Sequence, residues 1–136
     1  MIRLTVFADH DLKHSLAGGA NVNAQENLKR IARHMKVRLL SSWEPGLAES
    51  ETVDGIEIRR FRGNMASLRW TIPRYFKNHL ENETDVVWDE VDFSAPWLSP
   101  LFTDKPVLMH CHHFQKHNFF YELPWLIAAG AYTVEP

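Results

Sequence analysis

Short apolar runs alternate with amphipathic stretches along the chain, and this alternation predicts an α/β fold. The first run, residues 2–7, is bounded by polar residues, as is typical of a buried strand. From residue 20 to residue 35 the apolar positions return at helical spacing, which predicts an amphipathic helix. A second strand is predicted at 37–42. A strand, a helix and a strand within about forty residues are typical of a right-handed parallel crossover.

Three further strands are predicted downstream. Residues 56–61 alternate between apolar and polar side chains, which predicts a half-exposed strand, and residues 43–55 before them are typical of a polar loop. The arginines of this region are expected on an exposed face: Arg59, Arg60 and Arg62. Apolar runs at 85–91 and 105–111 predict two more strands, separated by a proline-containing loop or a short helix.

Two helices complete the pattern. A short helix is predicted at 71–81, with Thr71 as its N-cap and Pro73 tolerated in its first turn. Residues 118–132 predict a helix that is broken at Pro124.

This order of elements predicts one domain over residues 1–136, a Rossmann-like three-layer α/β sandwich around a mainly parallel sheet. In such sheets ligands bind outside the carboxyl ends of the strands, near the point where the strand order reverses. Candidate functional residues are therefore expected just after the predicted strands, within 9–20, 42–45, 89–93 and 110–117.

Charge and composition narrow the class of function. The 136 residues have a net charge of −2, so we expect no nucleic-acid partner, which requires a basic surface. The single cysteine, Cys111, excludes an intramolecular disulfide and suits a cytoplasmic protein. The first residues lack the apolar core of a signal peptide, and the longest apolar stretch, 119–132, is too short to span a bilayer. That stretch still suits a membrane surface or a partner.

A pair of glycines, Gly18 and Gly19, precedes Ala20 between the first strand and the first helix. Backbone N–H groups at a helix start attract an anion such as phosphate, and glycine lets the ligand approach the backbone closely. The pattern matches neither a dinucleotide-binding fingerprint nor a P-loop. A loop that uses glycine for a positive φ angle is the alternative.

Residues 110–117 form a histidine-rich segment whose possible ligands are His110, Cys111, His112, His113 and His117. Such side chains bind zinc, and His113 and His117 would share a helix face. However, three of the residues lie at a strand end, where neighbours point to opposite faces, and no second Cys/His group completes a tetrahedral set. The sequence therefore favours one histidine directed into the cleft as an acid, base or hydrogen-bond donor, and no metal.

Acidic residues lie at the end of the predicted strand 85–91. A carboxylate of Asp89, Glu90 or Asp92 would act there as a general base or bind sugar hydroxyls, and a solvated acidic turn is the alternative. Three residues before the glycines belong to the same predicted rim: His10, Asp11 and His14.

Together the motifs occur in a familiar order. A strand leads into Gly-Gly-Ala and an amphipathic helix, followed by DGIEIRRF, TDVVWDEVDF, KPVLMHCHH and a closing FFYELPW and VEP. In this order of motifs, the chain from Ile2 to Pro136 resembles the N-terminal half of retaining glycosyltransferases of the GT-B type, family 4. The resemblance implies a single GT-B half-domain.

The resemblance also implies roles for individual residues. Gly18, Gly19 and Ala20 would lie in the interdomain cleft near the donor diphosphate and the transferred sugar. The histidine that holds the donor sugar at the reaction centre is best matched by His112, with His113 as the neighbouring candidate.

The acceptor side is implied in the same way. Asp89 and Glu90 would lie there, with His14 on the same rim, facing a sugar or a lipid-linked acceptor. Such half-domains bind acceptors, often at a membrane surface, which suits a cytoplasmic protein peripheral to the inner face of the membrane. Three tryptophans are expected to be exposed for this contact: Trp70, Trp97 and Trp125.

The function that follows is the acceptor-binding half of a glycosyltransferase whose donor is a nucleotide-diphosphate sugar, with no tightly bound cofactor. The second domain, with most nucleotide contacts and a Glu-x7-Glu element, is expected as a C-terminal domain or a separate subunit, and a homo-oligomer is a further candidate assembly. Alone, the chain is expected to be inactive or very weak. The alternatives are a non-catalytic module that binds a glycan, a lipid or a partner, and a small metal-dependent hydrolase that uses the histidines.

Overall fold

The computed structural model describes residues 1–91, 96–112 and 119–134, and it confirms the predicted α/β class. The strands are β1 (Arg3–Phe7), β2 (Lys36–Ser42), β3 (Ser50–Val53), β4 (Ile56–Phe61), β5 (Val86–Val91) and β6 (Val107–Cys111). The α-helices are α1 (Gly19–Ile31), α2 (Met65–His79), α3 (Phe119–Glu122) and α4 (Trp125–Val134). The predicted apolar runs and the strands agree to within about two residues, the usual uncertainty of element ends.

The six strands form one sheet in the order β3-β4-β2-β1-β5-β6. All neighbouring pairs are parallel except β3 and β4. The chain runs outward from β1 through β2 to β4, then returns to the other side of β1 for β5 and β6. The strand order therefore reverses between β1 and β5, where ligands bind in sheets of this kind.

Alternation along the strands divides the buried side chains into two cores, one on each face of the sheet. The core on the α1 face contains Leu4, Val6, Ala8, Leu28, Val37, Leu39, Ile56, Ile58 and Trp88. The core on the α2 face contains Phe7, Leu40, Leu68, Ile72, Phe76, Val87 and Trp97. Helices thus cover both faces, as the three-layer prediction requires.

The predicted start of the second helix at Thr71 is wrong. Helix α2 begins at Met65, because Asn64 is its N-cap and the Asn64 side chain accepts a 2.9 Å hydrogen bond from the Ser67 N–H. Pro73 lies inside the helix, where it is buried and the missing N–H costs one backbone hydrogen bond. Tertiary packing of the buried Pro73 thus overrides the preference of proline for the first turn.

The prediction of a polar loop at 43–55 is also wrong in part. Residues of β3 pair with β4 in an antiparallel hairpin whose turn is Asp54–Gly55. Both turn residues have positive φ, 53° and 81°, which is the geometry that Asp-Gly favours in two-residue hairpins. The Asp-Gly dipeptide was the available signal for this hairpin.

The C-terminal helical stretch is divided at Pro124, as predicted, into α3 and α4. The side chains of Trp125, Leu126 and Ile127 are exposed at the start of α4. Within the described residues, no helix combines the length and apolar character needed to cross a bilayer.

The tryptophans do not all lie where they are expected. Trp70 and Trp125 are 72% and 70% exposed, in agreement with the prediction, but Trp97 is only 4% exposed. The Trp97 ring lies 5.7 Å from the Phe7 ring and has the Arg69 guanidinium 3.9 Å from its centroid. Trp97 is therefore a core residue on the α2 face.

Candidate functional site

The candidate site lies at the carboxyl edge of the sheet, where β1, β5 and β6 end. Strand β5 contributes Glu90 and strand β6 contributes His110. His112 follows directly after the end of β6. Glu90 and His110 are directly opposite one another in the parallel register. Because side chains alternate, His112 returns to the same face as His110, two residues later. The topology thus brings one carboxylate and two imidazoles together.

Glu90 is the centre of this cluster. His110 Nδ1 lies 3.1 Å from both carboxylate oxygens of Glu90, and His112 Nε2 makes a short contact with Oε1. The indole N–H of Trp88 donates a 2.6 Å hydrogen bond to Oε2. The two imidazole rings lie 4.4 Å apart in an edge-on arrangement. Three side chains, those of Trp88, His110 and His112, therefore fix the orientation of one carboxylate.

Burial within the cluster increases from the histidines to the carboxylate. The side chain of Glu90 is 1% exposed, that of His112 is 14% exposed and that of His110 is 31% exposed. Glu90 thus supports the histidines from beneath, and the histidines present the accessible polar atoms. A histidine oriented by a carboxylate is a common arrangement for acid–base chemistry, for hydrogen bonding to a substrate and for metal ligation.

Asp89 is separated from Glu90 by the sheet, although the two are neighbours in sequence. Asp89 is fully buried and accepts a 3.2 Å hydrogen bond from the Ser99 N–H and a short one from the Ser99 hydroxyl. Burial is the main cause that raises the pKa of Asp89, and the Ser99 hydrogen bonds partly oppose it. Asp89 holds the segment after β5 in place, and its expected contact with an acceptor stays a prediction.

The loop after β1 is held by a buried ion pair. The Arg60 side chain donates to both oxygens of Asp11, at 2.5 and 2.8 Å, and neither side chain is exposed. The prediction that Arg60 lies on an exposed face is therefore wrong. The signal was present in the sequence, because Arg60 follows Ile56 and Ile58 at the period of a strand face.

The rings of His10 and His14 on this loop lie with their centroids 4.2 Å apart and are tilted by 58° to each other. The Leu16 N–H donates to His14 Nδ1 at 3.1 Å, so that nitrogen is unprotonated. Burial, together with the neighbouring His10, lowers the pKa of His14 in spite of the Glu44 carboxylate 3.8 Å away. His14 is thus a neutral hydrogen-bonding group at neutral pH.

Gly18 and Gly19 form the start of helix α1. Gly18 is the N-cap with φ of −127°, an extended conformation open to any residue, so the alternative based on positive φ does not hold for it. A Cβ added to either glycine would have no atom of the described chain within 4 Å. Asn21 accepts from the Gly18 N–H and donates to the His10 carbonyl, both at 2.9 Å. Packing within the chain therefore gives no reason for glycine at these two positions.

A narrow crevice joins this loop to the carboxylate cluster. Its lining includes His10, Asn21 and Gln25 on one side and Glu90 on the other, with apolar side chains of β1 and α1 between them. The first turns of α1 and Glu90, the partner of His112, therefore lie on the same side of the sheet. Ala20 follows the glycines in the first turn of α1.

Sequence reasoning missed two features of this site, the pairing of Glu90 with both histidines and the participation of His110. The available signal was a carboxylate and two histidines at alternating strand positions, namely Glu90, His110 and His112. His113 and His117, and likewise Asp92, lie outside the described residues.

The described elements form a Rossmann-type α/β unit. A solved structure with this fold is that of a sucrose-phosphate synthase from Thermosynechococcus elongatus, with a TM-score of 0.59 and 14% sequence identity. The similarity covers 90% of this chain and 35% of that chain, so this chain spans about a third of its neighbour's length. Comparison of the sequence with protein families and with curated proteins finds no match.

Proposed function

We propose that this chain is the acceptor-binding half of a sugar-nucleotide-dependent glycosyltransferase of the retaining, family 4 kind. The observation that carries the proposal is that two elements lie at the carboxyl edge of the sheet, near the strand-order reversal: the glycine pair at the start of α1, and His112 supported by Glu90. Each element has a geometry that suits a ligand and has no other evident purpose in the fold.

The glycine loop suits the diphosphate end of the donor. The first N–H groups of α1 and its positive dipole end lie there, and both attract an anion. Since a Cβ at Gly18 or Gly19 would meet no atom of the described chain, the space in front of the backbone is open to a ligand.

His112 suits the transferred sugar. Its Nε2 faces Glu90, so the ring orientation is set and Nδ1 remains for a sugar hydroxyl. In the proposed reaction the bond from the anomeric carbon to the diphosphate oxygen breaks and a bond to the acceptor oxygen forms on the same face of the sugar. The acceptor proton leaves with the nucleoside diphosphate. His112 positions the sugar, and no protein nucleophile is required.

A second domain would complete the donor site, either on the same chain or as a separate subunit. Among the described residues, few cationic side chains lie at the glycine loop. We therefore expect weak donor affinity and little or no turnover by this chain alone. The donor is a substrate of this reaction, and no tightly bound cofactor is needed.

A groove beside α2, on the face of the sheet opposite to Glu90 and His112, suits contact with an apolar or lipid surface. The exposed side chains of Trp70 and Leu101 lie along it with the basic residues Arg74 and Lys77. Apolar side chains beside cations are typical of surfaces that contact anionic lipid. The same groove favours the second candidate, a non-catalytic module that binds a lipid or glycan.

Amide chemical-shift mapping with uridine-, guanosine- and adenosine-diphosphate sugars tests the proposal. At millimolar donor we expect shifts at Gly18, Gly19 and His112 and none at the matched exposed histidine, His34. Equal chemical-shift changes with a sugar nucleotide and with inorganic phosphate would show that the site binds anions in general. Absence of any response, together with lipid binding, would favour the non-catalytic module.

A further inference from the structure

We infer that Glu90, His110 and His112 form a binding site for a divalent transition-metal ion of the zinc class. One ligand atom from each residue lies within 4.8 Å of the other two. Two histidines and one carboxylate are the protein ligands of several catalytic zinc and non-haem iron centres. This inference goes beyond the proposed function, which requires no metal.

The positions of the nitrogen atoms support the assignment. His110 Nδ1 and His112 Nε2 converge on the same carboxylate of Glu90 from neighbouring points of one strand. Zinc bonds to nitrogen and oxygen are about 2 Å long, so ligand atoms of a tetrahedral ion lie about 3.3 Å apart. The 3.1 Å separation of His110 Nδ1 and Glu90 is close to that spacing. A small outward shift of the His112 ring would admit an ion between the three atoms.

The charge balance of the cluster supports it as well. Glu90 is buried, and among the described residues its ionic partners are His110 and His112, which are charged only when protonated. A buried carboxylate without a permanent cation is unfavourable unless it is compensated. A bound dication would supply that compensation and would use both imidazoles in their neutral form.

The surroundings match those of functional metal sites. Trp88 donates to Glu90 Oε2, and both histidines contact Oε1. Such outer hydrogen bonds orient metal ligands. The side chain of His110 is 31% exposed, so an ion can enter from that side. With three protein ligands, the fourth position would take water or an oxygen of a bound sugar.

The test is binding of Zn²⁺ and Co²⁺ to the whole chain after treatment with a chelator. We expect one equivalent of Zn²⁺ to remain after dialysis, and Co²⁺ to give the visible absorption of a four- or five-coordinate ion. Glu90→Gln keeps the shape and still accepts from Trp88, so this variant should fold and lose at least tenfold in affinity, as should His112→Ala. The matched control His34→Ala, an exposed histidine outside the cluster, should bind as the parent does.

Two outcomes would overturn the inference. One is a parent chain that retains no Zn²⁺ and gives no Co²⁺ spectrum. The other is binding that survives Glu90→Gln and is lost in a His113→Ala/His117→Ala variant. Circular dichroism of each variant separates loss of a ligand from loss of the fold. Sugar-nucleotide mapping of the metal-free chain is independent of these results, so either proposal can fail without the other.

Discussion

The guanidinium of Arg60 on β4 and the carboxylate of Asp11 on the loop after β1 form a two-point ion pair in which neither side chain is exposed. Ser41 of β2 donates a further 3.1 Å hydrogen bond to Asp11. The pair connects the loop that carries His10 and His14 to a strand two positions away in the sheet. The ion pair therefore fixes the approach of the chain to the glycines at the start of α1.

Removal of Arg60 should destabilise the protein. Arg60→Ala leaves the Asp11 carboxylate buried without its partner, which typically costs about 3 kcal/mol or more. The control is Arg62→Ala, since Arg62 is 65% exposed and its pair with Glu49 is on the surface, where such pairs contribute less than about 1 kcal/mol. Urea unfolding of both variants measures the difference. Equal midpoints would mean that the pair adds nothing to stability.

Asp11 should also make the stability depend on acid. Burial raises its pKa, but hydrogen bonds from Arg60, the Lys13 N–H and Ser41, with the Arg60 charge, outweigh burial and lower it overall. An acid whose pKa is lowered on folding stabilises the fold above its unfolded pKa, about 3.9, and loses this effect as the pH falls through the folded pKa. We expect Asp11→Asn to flatten the loss of stability below about pH 4 relative to the parent. Parallel pH curves would contradict this role.

Asp89 should show the opposite dependence. Burial is the main cause that raises its pKa, so its contribution to stability is present at low pH and decreases as the pH rises from the unfolded value through the folded one. Asp89→Asn still accepts from the Ser99 N–H and carries no charge. Its stability relative to the parent should therefore increase between pH 4 and pH 7, as measured by chemical unfolding. A constant difference across this range would show that Asp89 is not destabilised by its charge.

The glycine pair should matter for binding and not for folding. Gly19→Ala adds a Cβ that contacts nothing in the described chain, and alanine favours a helix by up to about 1 kcal/mol over glycine, so the variant should be as stable as the parent or more so. Gly19→Val should fold cooperatively and bind sugar nucleotides more weakly. Thermal unfolding and chemical-shift titration separate the two effects. Unaltered binding of sugar nucleotides by Gly19→Val would show that the glycine pair only forms a turn.

Turnover should depend on His112 and on its support. In an assay that includes the nucleotide-binding half, His112→Ala should lower turnover at least roughly tenfold. Glu90→Gln should cause a smaller loss, because the amide still occupies the carboxylate position but no longer fixes the imidazole as strongly. His34→Ala is the control. Unchanged turnover by His112→Ala would remove this residue from the reaction centre.

Much of the architecture is predictable from local pattern. The apolar runs at β1, β2 and β5 are visible because buried parallel strands are short and apolar, and β4 is visible by its alternation. Helix α2 and strand β3 are predicted less well, because the signals for their ends are only one or two residues in polar stretches. These signals are the N-cap Asn64 and the Asp54–Gly55 turn.

Within the candidate site, the glycine pair and His112 stand out in the sequence because they follow predicted strands, at the edge of the sheet where ligands bind. The links between distant residues are not visible there. Asp11 pairs with Arg60 across 49 positions, and Glu90 meets His112 across 22, and no local preference encodes either contact.

The sequence by itself determined the alternation of strands and helices, the mainly parallel sheet and the segments that meet at its carboxyl edge, because these follow from the period of the side chains. Only the tertiary structure decided which side chains of different elements meet. It paired Arg60 with Asp11. It also brought Glu90 to the two histidines. The register of β5 against β6 sets those contacts, and register is fixed by the packing of the whole sheet.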